Sequence, residues 1–481
     1  MKTEKLKGLE PENVFAYFEK ICSIPHGSFH TKALSDYFVS FAEEHGLRSI
    51  QDTANNVIIF KEASAGYEDH EPVILQGHMD MVCQKEEGCT INMETDPLDV
   101  THDGEYVFAN GTSLGADNGI AVALCLAILA DDTAVHPPLE VIFTSEEENG
   151  MLGATAIDLS MLKGKRMVNL DTLNEIYFTA GCAGGARVAL ELPLTWETYT
   201  GETLSIVLDE FHGGHSGNLI GMKYANTNKT MGQLLEKLQS LGAVRIVSFH
   251  GGTAGNAIPK NCKAVIAAEG LDVQKVEATC TEFLAELKEN YEEPAATLTV
   301  TLVPAADTKI MTEETSRKLT ALIHDYINGL QTWNPYFKSL PQTSLNLGVT
   351  ETRENVFYLM SAVRSNVNAE RLQVQAALKT VADRYGCKHT EYGIYSAWEY
   401  RNDSPLRTMM SKVYEEHYGR KPIVIVLHAG LECGVLSEKI PGLDCVSCGP
   451  TAYDLHTANE RLEIASVGRS MEYIKKLLAA L

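Results

Sequence analysis

The sequence predicts an α/β protein, with a mostly parallel sheet held between helices and an α+β domain inserted midway. Three observations predict it. Short runs that are apolar throughout alternate with helical segments early in the chain, and strands of that kind belong in a sheet covered on both faces. Beyond a glycine-rich stretch the strands alternate apolar with polar, as half-exposed strands do. Near residue 400 the first pattern returns. A chain of 481 residues also exceeds one ordinary core. The expected domains are therefore 1–185 joined with 400–481, and 186–399 as the insert.

The elements follow in order. "HTKALSDYFVSFAEEHG" sets Leu34, Tyr37, Phe38 and Phe41 on one helical stripe. "NNVIIF" and "PVILQ" read as short strands, and "NGIAVALCLAILA" as a buried helix. "LEVIFT" (139–144) and "RMVNL" (166–170) read as buried strands. "GCAGGAR", residues 181–187, is the expected hinge into the insert. There "TLSIVLDE", "VRIVSFHGG" and "ATLTVTLVP" read as half-exposed strands. "VQKVEATCTEFLAELKENY" and "TSRKLTALIHDYINGL" read as amphipathic helices. After it, "SPLRTMMSKVYEEHYG" forms a helix leading into the strand "PIVIVL". A last helix places Ile464, Val467, Met471, Ile474 and Leu478 at helical spacing.

Composition narrows the function classes. The hydrophobic fraction of 44% and charged fraction of 22% are those of a globular enzyme. A formal charge of −24 disfavours nucleic acid and anionic membrane as partners, since both need basic surface. "MKTEKLKGLEPENVFAYF" lacks the apolar core of a signal peptide, and "GIAVALCLAILA" is too short to span a bilayer. The eleven cysteines are odd in number and scattered, which suits reduced thiols in a cytoplasm. Cys445 and Cys448 form one Cys-x-x-Cys with no second pair to complete a zinc ribbon.

The acids and histidines at strand ends carry the chemistry. His78 and Asp80 follow "VILQG"; Glu146, Glu147 and Glu148 follow "LEVIFTS"; Asp171 follows "RMVNL". In an open α/β sheet the carboxyl ends of parallel strands open onto one crevice. Carboxylates crowded there repel one another and lose hydration, so a cation must offset the cost, and no basic cluster accompanies them. Asp117 sits in a glycine-bounded turn, "GTSLGADNGIA", and His456 in the polar loop of "GPTAYDLHTANERL". Singly, each motif is more commonly a polar strand end, a solvated turn or a turn-forming aspartate. Converging on one sheet edge, His78, Asp117, Glu148, Asp171 and His456 make a donor set for two divalent ions with one bridging carboxylate. Zinc fits that set best, and it also accepts cobalt or manganese. Asp80 is placed to hold the His78 ring from behind.

Taken in order, "GHMDMV", "GTSLGADNGIAVAL", "TSEEENGMLGA", "NLDT" and "DLHTANE" resemble the M20 family of di-zinc peptidases. Within it they resemble most the branch acting on aminoacyl-histidine dipeptides. The resemblance extends over the whole chain. It implies a di-zinc exopeptidase-type catalytic domain with an inserted lid, often dimer-forming, hence a homodimer. It implies that His78 and His456 each ligate one ion, Asp117 bridges, and Glu148 and Asp171 take one ion each. Glu147 is then the general base for hydrolysing a dipeptide, Xaa-His preference included. The family has two consecutive glutamates where this chain has three, and the following "GMLGA" anchors Glu147 as base and Glu148 as ligand.

The insert is expected to supply recognition. His215, in "HGGHSGNLIG", matches the family's lid motif, which implies oxyanion stabilisation. Asn256 in "GGTAGNAIP" offers an amide to a substrate carbonyl or carboxylate, and Arg364 in "SAVRSN" a planar fork for a C-terminal carboxylate. Glu432, in "LHAGLECG" beyond the insert, could meet the amino group. His212 is expected to be structural. Competing expectations are a tripeptidase, an aminopeptidase or an N-acyl amino acid deacylase on the same scaffold, and a non-catalytic binding protein. The intact donor set argues against the last.

Overall fold

Strands made of β-branched and aliphatic residues without polar alternation need cover on both faces. Val73–His78 and Leu139–Thr144 are buried at every position. In the structure, a computed structural model describing residues 5–481 apart from the side chains of 305–307, these two pair in parallel, His78 opposite Thr144. Arg166–Asn169 pairs in parallel with Val73–His78 on the other side, and Asp444–Ser447 in parallel with Arg166–Asn169. This parallel centre is flanked by antiparallel strands. Arg48–Gln51 and Val57–Lys61 lie beyond Leu139–Thr144, and Tyr177–Cys182 and Ile423–Leu427 lie beyond Asp444–Ser447. All central strands therefore end at one edge.

Sequence patterning marks neither Asp444–Ser447 nor Tyr177–Cys182 as a strand. The first is only four residues long, and its cysteines draw attention to thiol chemistry; Cys445 is instead a buried strand residue opposite Met167. The helix Ala116–Leu129 is buried along nearly its whole length and packs on Glu12–Cys22 and Val73–His78. Gly77 permits that approach, because a Cβ there would meet Asn118 Oδ1 at 2.6 Å and Ala121 Cβ at 3.1 Å. Pro405–Tyr418 is bounded as its sequence requires. Ser404 accepts the Arg407 amide, Pro405 opens the first turn, and Gly419 closes the helix at φ 68°.

The chain separates into two compact units. One comprises the chain up to Cys182 with Tyr400–Val426 and Leu431–Leu481; the other is Ala183–Glu399 with Leu427–Gly430. The second unit is built on a nine-stranded sheet, antiparallel at its paired strands, with the long strands Trp196–Asp209 and Thr297–Met311 at one end. Helices Thr227–Leu238, Val273–Asn290, Glu313–Asp325 and Asn368–Tyr385 complete its core. In the glycine-rich stretch read as a hinge, Gly184 and Gly185 lie within the strand Gly184–Pro193. A Cβ on Gly184 would meet Ala397 N at 2.4 Å, and one on Gly185 the Tyr395 ring at 2.5 Å. These glycines serve close packing rather than slack.

Candidate active site

The shared edge of the parallel strands gathers the candidate donors of the first unit. His78 is the last residue of its strand, Glu146–Glu148 follow Leu139–Thr144, and Asp171 follows Arg166–Asn169. Asp117 stands in the first turn of Ala116–Leu129. His456 arrives in the loop between Ala452–Tyr453 and Arg461–Glu463, an antiparallel pair within a separate four-stranded sheet. Its backbone is held at φ 60°, a left-handed conformation that an L-residue keeps only when its surroundings fix it.

The distances form a chain of contacts. Asp117 Oδ1 is 3.1 Å from His78 Nε2, and Asp117 Oδ2 is 3.3 Å from His456 Nε2. His78 Nε2 is also 3.7 Å from Asp171 Oδ1, and His456 Nε2 is 2.9 Å from Glu148 Oε1. One atom each from His78, Asp117 and Glu148 lie within 4.8 Å of one another. His78 thus faces one oxygen of Asp117 and His456 the other, with Asp171 beside His78 and Glu148 beside His456.

Asp80 organises this cluster from behind. Its main-chain oxygen accepts from His78 Nδ1 at 3.0 Å, and its carboxylate lies 3.4 Å from the same nitrogen. The carboxylate also accepts the amides of Glu147 (2.9 Å) and Glu148 (3.3 Å) and the Ser28 hydroxyl (2.9 Å). The three-glutamate run divides at this point. Glu146 adopts φ 56° and turns its carboxylate to the Phe29 amide and the Thr31 hydroxyl. Glu147 and Glu148 have their amides on Asp80 instead.

Electrostatics follow from burial and mutual repulsion. Desolvation first, with Glu432, Glu148 and Asp117 nearby, raises the Glu147 carboxyl to about 8, although His78 pulls it down. Asp171 is likewise held well above the carboxylate range by desolvation and by Asp117. Asp117 and Glu148 raise His456 to about 10. Burial opposes the charge on His78, but Asp117, Asp80 and Asp171 outweigh it and hold the imidazole above its usual value. Asp117 is lowered by both histidines, although burial opposes that. No Lys or Arg pairs with these carboxylates among the described residues.

Such a cluster suits divalent cations. Both imidazoles turn Nε2 inward, His78 keeps Nδ1 occupied by Asp80, and Glu148 Oε1 is buried with His456 Nε2 2.9 Å away. Nitrogen and carboxylate donors gathered in this way suit a divalent ion, and His78, Asp117 and Glu148 lie close enough together to share one. Glu432, only 1% exposed, lies beneath this edge and accepts from Gln76 Nε2 and Thr144 Oγ1, each at 2.6 Å. Its Oε1 is buried without a partner, and burial raises the carboxyl to about 7.

The second unit holds the other expected residues. His215 pairs with Ala257 in a two-residue bridge, and the following Ser216 amide donates to Asn256 O, so His215 and Asn256 are neighbours. Desolvation and the Arg364 charge lower the His215 imidazole. Arg364 Nε and Ser216 Oγ are buried without partners. His212 is fixed by Glu293 at 2.9 Å and stacked on Tyr224, as a structural residue would be. Sequence reading missed His428. Its Nε2 lies 2.7 Å from Ser344 Oγ, and burial, helped by Arg364, lowers it to about 3, so it is a neutral imidazole beside the same arginine. The signal was present in "LHAGLECG", where Glu432 alone drew notice.

The chain is similar to known proteins along most of its length. Residues 74–480 match the model of peptidase family M20/M25/M40. The cytosol non-specific dipeptidase of Escherichia coli (strain K12) is 35% identical over 477 residues, 98% of each chain. The crystal structure of aminoacylhistidine dipeptidase from Vibrio alginolyticus superposes with a TM-score of 0.91 at 35% identity, covering 98% of this chain and 97% of that one. An aminopeptidase from Bacillus cereus shares the fold at a TM-score of 0.56 and 14% identity, covering 98% and 99%.

Proposed function

The chain belongs to peptidase family M20/M25/M40, and from that membership we propose that it is a metal-dependent dipeptidase. Its proposed substrates are Xaa-His dipeptides, such as β-alanyl-histidine, together with other dipeptides. The observation that carries this reading is the Asp117 carboxylate, which gives one oxygen to each of two inward-facing imidazoles. Two relatives at 35% identity, a cytosol non-specific dipeptidase and an aminoacylhistidine dipeptidase, support the substrate class.

His78 with Asp171, and His456 with Glu148, are the proposed holders of two divalent ions, with Asp117 between them. Zinc is the proposed metal, and cobalt or manganese would serve. Bound there, such ions supply the acidification of a water and the polarisation of a carbonyl. Glu147 is the proposed general base. It takes the proton of the attacking water and returns it to the leaving amine. Burial and the neighbouring carboxylates raise its carboxyl in the metal-free chain, and the positive charge of bound ions would lower it again toward the ionised form a base needs. Asp80 holds the His78 ring and the amides of the glutamate pair. In the second unit, Arg364 is proposed to take the substrate's C-terminal carboxylate, His215 the developing oxyanion and Asn256 a substrate carbonyl. Glu432 Oε1 is the acceptor proposed for the amino end. A cytoplasmic location is part of the proposal. Among the described residues no helix is long and apolar enough to cross a membrane and no disulfide forms.

The test is a substrate panel on purified protein before and after chelation, with elemental analysis. Dipeptides should be cleaved faster than a tripeptide or an N-acetyl amino acid, and activity should vanish with the metal and return with zinc, cobalt or manganese. Faster release of an N-acetyl group, or undiminished activity after complete chelation, would overturn the reading.

A further inference from the structure

Asp117 and His456 come from segments far apart in the chain, and the residue that joins them is neither of the two. Glu460, 2% exposed, sits at the end of the loop that carries His456. Its Oε2 accepts the amides of Leu114 (2.9 Å) and Gly115 (3.0 Å), and its Oε1 accepts the amide of Asp117 (3.2 Å). These are the amides of the turn that presents Asp117. Gly115 in that turn has φ 71°, and a Cβ there would strike Met81 Sδ at 2.9 Å, so the turn has little freedom of its own. On the other side, the Glu460 amide donates to Thr457 O, and the Thr457 hydroxyl donates to Asp454 O at 2.7 Å, folding the His456 loop on itself. A buried carboxylate saturated by main-chain amides is costly to strip of any one of them.

We propose that Glu460 is a positioning residue that locks the Asp117 turn to the His456 loop and so sets the pocket these two ligands share. It touches no reacting atom. It acts by fixing where Asp117 and His456 stand relative to each other, and it rests on the reading of Asp117 and His456 as metal ligands. The carboxylate is needed for its shape as much as for its charge. In Glu460→Gln an NH2 group replaces one of the two accepting oxygens, faces the turn's N–H donors on that side and cannot accept from them. In Glu460→Asp the charge remains but the reach is shorter.

The experiment measures zinc and cobalt affinity by chelator competition for wild type, Glu460→Gln and Glu460→Asp, alongside the cobalt absorption spectrum and the melting temperature of each metal-free protein. Both variants should bind metal about 10- to 100-fold more weakly, with an altered cobalt spectrum and a metal-free melting temperature lowered by the amide acceptors they lose. Wild-type affinity in both variants overturns the proposal. So does affinity retained in Glu460→Asp alone, since charge rather than position would then be sufficient. If wild type itself binds no metal, the dipeptidase reading fails instead. Should both variants fail to fold, hydrogen exchange on metal-free wild type decides. The amides of Leu114, Gly115 and Asp117 must be protected, and rapid exchange at all of them rules the lock out.

Discussion

At the scale of single residues, His78 divides its ring between two tasks. Nδ1 is occupied by the Asp80 main-chain oxygen, which leaves Nε2 for Asp117 and Asp171. Asp80 therefore works through others. Asp80→Asn would put an NH2 in place of one of the two oxygens that accept the Glu147 and Glu148 amides, and metal affinity is expected to fall about 10- to 100-fold, measured by chelator competition. Glu147→Gln should behave differently. It should keep its metal by elemental analysis while the hydrolysis rate drops about 10²- to 10⁴-fold; a rate near wild type would move the base to another group. The strand-end acids were legible because each lies beside its own apolar run. Glu460 was not, because its meaning lies in distant partners. The Glu460 bond to Leu114 spans 346 residues, and no local pattern encodes a contact of that kind.

At the scale of elements, the glycine at the end of Val73–His78 decides how closely the buried helix approaches the sheet. Gly77→Ala would drive a methyl into Asn118 Oδ1, the atom that accepts the His78 amide at 3.1 Å. Overpacking of this kind costs about 1–3 kcal/mol, expected in urea denaturation of the metal-free protein, and metal affinity should fall with it because His78 shifts. An unchanged denaturation midpoint would show that the helix yields freely. Strands such as Leu139–Thr144 were readable from uninterrupted apolar residues, and Pro405–Tyr418 from its serine, proline and glycine boundaries. Asp444–Ser447 was not, since four residues carry too little pattern to outweigh their cysteines and acid.

At the scale of the whole molecule, the buried acids tie stability to pH. Glu147 has an ordinary value of 4.5 and is raised to about 8 in the fold. Between those values the folded state binds more protons than the unfolded one, so its contribution is lost as pH rises through that window. His456, raised from 6.5 to about 10, acts in the same direction, though its side chain is 48% exposed and its share is discounted accordingly. The metal-free protein should therefore melt at a lower temperature at about pH 8 than at about pH 6, and zinc should raise the melting temperature more at the higher pH. A flat metal-free profile would contradict the burial of these acids together.

The placing of Asp444–Ser447 between Arg166–Asn169 and Tyr177–Cys182 has a consequence for biosynthesis. Ribosomes deliver the earlier strands first, and nascent domains begin to fold in that order. Until residue 447 emerges, Arg166–Asn169 shows an unpaired backbone edge, the kind of surface that recruits foreign strands. His456 and its tether are made later still. A growing polypeptide thus carries an unfinished sheet without its second imidazole through most of translation, and completes both within the same short stretch of synthesis.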